Sequence, residues 1–131
     1  MSERSARSVE VDRIRVDTGV EDEVTDVSVE VLEVYAEAAA LEVEGVARIV
    51  EPAEGLAGRF RGGGSRGIRM TLDEGSSMVE VELHVQVYYG ERLAEVAREA
   101  GLRVQQALGS AVRVGRVVVC VEDLALSRPA G

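Results

Sequence analysis

The chain has no lysine, no asparagine and no tryptophan, holds a single cysteine, and carries aromatic rings at only 3% of its 131 positions. Each scarcity removes a class of explanation. One cysteine, Cys120, cannot close an intramolecular disulfide, so nothing points to a stapled fold or an oxidising compartment. A Walker A loop needs a lysine against the terminal phosphates, and there is none to supply it. With so few rings, the core has to be built from valine, leucine and alanine. No apolar run approaches the roughly 20 residues of a membrane span, and the opening MSERSARSVEVDR lacks an apolar export segment. Both absences predict a soluble, cytoplasmic protein without direct membrane insertion.

Basic residues are outnumbered. Fifteen arginines face 24 carboxylates, a net charge of −9 that repels phosphate backbones and anionic headgroups, so nucleic acid is not an expected partner. The length suits one domain that buries its core without metal or disulfide.

What is present is patterning. From Met78 to Tyr89, Val79, Val81, Leu83, Val85, Val87 and Tyr89 alternate with Met78, Glu80, Glu82, His84, Gln86 and Tyr88, the period of a half-buried strand. After Gly90 and Glu91, the residues Leu93, Val96, Ala97, Ala100, Val104, Ala107 and Leu108 recur at helical spacing, so one stripe of helix must return onto the apolar strand face. Upstream, Ser28 is a candidate N-cap, and Leu32, Tyr35, Ala36, Ala39 and Val43 trace a first helix that Gly45 ends. Val46 to Val50 reads as a short strand stopped by Pro52. Ile68, Met70 and Leu72, followed by the turn residues Asp73 to Ser77, predict a hairpin with the long strand. Its register sets Leu72 opposite Val79, Met70 opposite Val81, Ile68 opposite Leu83 and Arg69 opposite Glu82. Val114 to Glu122 supplies a last strand, with Val117, Val119 and Val121 inward and Arg116, Val118, Cys120 and Glu122 outward.

The expected fold is α+β: a two-layer α/β sandwich with a mainly antiparallel sheet and two helices, Leu32 to Val43 and Glu91 to Leu108, packed on one face. Residues 1–24 read as an N-terminal arm, partly disordered or an edge strand; 25–126 form the domain; 127–131 are a C-terminal tail.

Three passages, VSVEVLEVYAEAAALEVEGVARIV (Val27 to Val50), VEVELHVQVYYGERLAEVA (Val79 to Ala97) and VGRVVVCVEDL (Val114 to Leu124), together resemble the alkaline shock protein family of general-stress and envelope-stress proteins of Gram-positive and related bacteria. The first resembles the family's opening helix and its exit, the second its long strand and tyrosine-glycine corner, the third its terminal strand. Ala94 stands where that family often has proline, and the stretch from Ala53 to Gly67 is unusually rich in glycine and arginine. The resemblance implies a small α/β domain without an established catalytic site or cofactor. It implies work by self-association or through protein partners, with membrane association through a separate anchor protein.

Three groups of residues compete as sites. Arg59, Arg61, Arg66 and Arg69 lie in or beside the Gly-rich tract, where guanidinium groups suit a regulatory, anionic ligand. The string GGGSRG there satisfies G-x-G-x-x-G, but a strand follows it instead of a helix, so it is not a dinucleotide fingerprint. Glu80, Glu82 and His84 share a strand face as E-x-E-x-H, a spacing that brings metal-ligand types together, although Arg69 beside them repels a cation. Val118, Cys120 and Tyr88 are apolar or amphipathic on a nominally wet face, which points to an interface covered by the N-terminal arm or another subunit. No Ser or Cys pairs convincingly with His84, so the expectation is no enzyme.

Overall fold

The structure, a computed structural model, describes residues 8–16, 21, 25–52 and 67–126. The elements run β1 (Ser8–Glu10), β2 (Arg13–Val16), β3 (Thr25–Ser28), α1 (Val29–Leu41), β4 (Val46–Ile49), β5 (Ile68–Asp73), β6 (Met78–Tyr88), α2 (Leu93–Gly109) and β7 (Val114–Ala125). β6 is the axis. Its inward residues Val79, Val81, Leu83, Val85 and Val87 are fully shielded from solvent, as the alternation requires.

Backbone polarity decides what flanks β6. The amide and carbonyl of His84 bond to Gly67 O at 2.8 Å and from Val50 N at 2.9 Å, while Val79 N and Tyr89 N reach Arg113 O and Ala125 O at 2.8 and 2.7 Å. Even-numbered residues therefore bond to one side and odd-numbered to the other. β5 and β4 lie end to end along one edge of β6, both antiparallel to it, and β7 takes the whole opposite edge. β1 continues the sheet beyond β5, and β2 pairs with β3 as a separate two-stranded ribbon. The predicted hairpin register is observed in all four pairs. β7 runs parallel to β6 because α2 carries the chain back along the sheet, so the antiparallel sheet has one parallel edge.

Ser28 caps α1, its Oγ accepting a bond from Glu30 N at 3.1 Å. Both helices cover the same sheet face: Leu32, Ala36, Ala39 and Ala40 of α1 and Val96, Ala100, Val104 and Leu108 of α2 are buried there. Ile14 of the ribbon joins this core. Two tyrosines depart from expectation. Tyr35, read as core, is 54% exposed, because at 100° per residue it falls at the edge of the buried arc formed by Val29, Leu32, Ala36, Ala39 and Ala40. Tyr89, read as the last inward residue of the strand, is 69% exposed, since β6 ends at Tyr88 and the chain turns through Gly90 at φ +95°.

Candidate functional site

On the face opposite the helices, β6 presents Glu80, Glu82, His84 and Gln86, and the parallel register sets Arg116, Val118, Cys120 and Asp123 beside them. His84 is the hub. Its Nε2 lies 2.7 Å from Glu82 Oε2 and its Nδ1 lies 2.6 Å from Glu122 Oε2. Only 8% of the residue is exposed although neither α1 nor α2 lies on this face. A neutral imidazole has one N–H donor and one lone pair, so it donates a hydrogen bond to only one of the two carboxylates at a time.

Glu122 keeps the outward side that alternation gives it, and a bulge in β7 adds Asp123 to the same face. Between Val121, opposite Val85, and Asp123, opposite Gln86, one residue is inserted, and that residue is Glu122. Two successive acidic side chains thereby serve one face: Glu122 on His84, and Asp123, which accepts a bond from Gln86 Nε2 at 3.0 Å. Simple alternation sends Asp123 toward the helices. An acid in that position was the one mark of a bulge in the sequence.

The E-x-E-x-H triad divides. Glu80 is drawn away to Arg116, whose Nε and terminal nitrogen both lie 2.6 Å from its Oε2. Glu82 stays with His84 and uses its other oxygen for Arg69, 3.5 Å away. In place of Glu80, Cys120 enters: donor atoms of Glu82, His84 and Cys120 all fall within 4.8 Å of one another. Burial, then the charges of Glu82 and Glu122, push the Cys120 thiol upward, so it stays protonated at neutral pH and is a weak nucleophile. Of the arginine tract, Arg69 is on this face; Arg59, Arg61 and Arg66 lie outside the described residues. Val118 and Cys120 sit half-buried opposite Glu82 and His84, and Tyr88, also half-buried, pairs with Ala125.

A second surface went unread in the sequence. Val31, Val34, Tyr35, Ala38 and Leu41 of α1 are all exposed and follow one another at three- and four-residue steps. They form an apolar stripe on the side of α1 turned from the sheet. At 100° per residue, Glu30 and Glu37 border it on one side.

The helix, the tyrosine-glycine corner and the terminal strand singled out in the sequence are thus three contiguous parts of one two-layer unit. The sequence profile of a family described as having a cell envelope-related function matches residues 18–126. The chain belongs to the alkaline shock protein 23 family. The matched span of this alkaline shock protein 23 domain runs from ahead of β3 through the end of β7 and leaves out β1 and β2. No curated protein and no solved structure matches the chain. Among the described residues no helix is long and apolar enough to cross a membrane.

Proposed function

We propose that this domain is a non-catalytic interaction module of the envelope stress response, which docks a helix of a protein partner on the exposed stripe of α1. The stripe is the observation that carries this reading. Its residues keep the spacing of a coiled-coil seam over about 15 Å of helix, and burying Val31, Val34, Tyr35 and Leu41 requires an apolar helix laid against them. Glu30 and Glu37 along its border, on a chain of net charge −9, favour basic residues flanking the partner's seam. Such a partner also supplies the route to the envelope for a domain whose described helices do not span a membrane.

A designed amphipathic peptide with leucines at seam positions and arginine flanks, labelled for fluorescence anisotropy, tests this. It should bind the wild-type domain and lose about tenfold or more in affinity to Val34→Glu, whose own stability stays within about 0.5 kcal/mol because Val34 is exposed. The same peptide with glutamate flanks should bind weakly. Equal binding of both peptides to wild type and variant sinks the proposal. Light scattering that shows a dimer dissolved by Val34→Glu, without peptide binding, assigns the stripe to a second copy of the chain instead.

A further inference from the structure

We propose that Glu82, His84 and Cys120 form a zinc site across β6 and β7, with Glu122 holding the histidine from behind. The donors are one carboxylate oxygen, one imidazole nitrogen and one thiolate, the mixture that borderline-soft divalent ions, zinc above all, accept. They come from two paired strands, not from loops: Glu82 and His84 two residues apart on β6, and Cys120 directly opposite His84 on β7. This backbone ladder fixes the origin of each side chain before any ion arrives.

The ring nitrogens divide the work. Nδ1 faces Glu122 at 2.6 Å, the arrangement in which a carboxylate fixes the orientation of a metal-bound histidine; Nε2 faces Glu82 and is the nitrogen left for the ion. Tetrahedral bonds of about 2.0 to 2.3 Å separate donors by about 3.3 to 3.6 Å. The Glu82–His84 contact of 2.7 Å has to open slightly, and Cys120, now within 4.8 Å, has to close by a rotamer adjustment. Arg69, which repels a cation, is engaged on the other oxygen of Glu82, so Oε2 turns to the ion once its contact with His84 opens. Charge also balances: the thiolate, Glu82 and Glu122 are offset by a divalent ion together with Arg69. Binding replaces the thiol proton with the metal, and that proton leaves to solvent. Three protein donors leave the fourth position to water on the open face.

The untagged chain, titrated with Zn2+ and separately with Co2+, tests the site. Expected are one equivalent bound, a thiolate-to-cobalt charge-transfer band, and a melting temperature that rises with added zinc. Cys120→Ser should abolish the band and the thermal shift while its circular dichroism stays native. Glu122→Gln should retain the band but weaken binding by about ten- to a hundredfold. Glu80→Gln should match wild type. Substoichiometric binding, a cobalt spectrum without the charge-transfer band, or equal losses in Glu80→Gln and Cys120→Ser would overturn the site.

Discussion

A methyl group at Gly67 would stand 2.4 Å from the carbonyl oxygen of Val50 and 2.4 Å from Ile49 Cγ2. The carbonyl is backbone beside His84 and cannot swing away, so β4 and β5 meet end to end only because residue 67 has no side chain. Gly67→Ala should lose about 1 to 3 kcal/mol of stability by overpacking. Gly109, the last residue of α2, has open space around its would-be Cβ. Gly109→Ala should gain about 0.4 to 1 kcal/mol by restricting the unfolded chain. Urea unfolding of both variants checks the pair; two losses of similar size would mean that local helix and strand effects, not the contact with Val50, govern these positions. Cys120 is the other informative residue. Its thiol is pushed up first by burial and then by Glu82 and Glu122, so at pH 8 less of it is thiolate than in the unfolded chain. Iodoacetamide should alkylate the folded protein more slowly than the urea-unfolded one, and Glu122→Gln should speed the folded reaction by removing a charge that raises the thiol. Equal folded and unfolded rates would show that the surroundings of Cys120 do not hold its proton.

Among the elements, β6 places five fully buried side chains in the core. Leu83→Ala should cost about 2 to 5 kcal/mol, since the side chain is fully buried beneath the helices and the sheet cannot close the gap. Arg116→Ala, which removes an exposed pair with Glu80, should cost under about 1 kcal/mol despite contacts of 2.6 Å. Thermal melts rank the two, and a reversed order would mean that the open face, not the core, holds the sheet together. That face difference is why β6 was legible in the sequence: alternation of valine and acid reports burial residue by residue, and pairing like faces fixed the β5–β6 register. The helices were legible from their stripes, except where alanine dominates. In α1 the buried surface is largely methyl groups, so periodicity could not tell the exposed Tyr35 from core. The direction of β7 was not legible, because a terminal valine strand carries the same alternation whether it pairs parallel or antiparallel. Without that direction Cys120 and Glu122 could be placed on the face of His84 but not beside its ring, and without the bulge Asp123 had no place on that face. The cluster is a product of register, which local sequence does not encode.

For the molecule as a whole, the net charge of −9 acts at a distance that no single contact on α1 reaches. On the proposed docking mode, a helix with basic flanks would be drawn in by the summed field and then retained by the apolar stripe, so the two contributions would separate in kinetics. Raising the salt shortens the screening length from about 30 Å at 0.01 M to about 8 Å at 0.15 M. Over that range the association rate of the arginine-flanked peptide should fall about tenfold or more while its dissociation rate changes little. Val34→Glu should do the opposite, leaving most of the association rate in place and accelerating dissociation, because it alters the seam and adds only one charge to an already acidic surface. Lowering the pH toward the isoelectric point near 4.7 should erase the salt dependence by discharging the field. Stopped-flow fluorescence measures both rates. A salt effect confined to dissociation would place the electrostatics in the docked contact itself, with Glu30 and Glu37 as direct ion-pair partners instead of the edge of a long-range field.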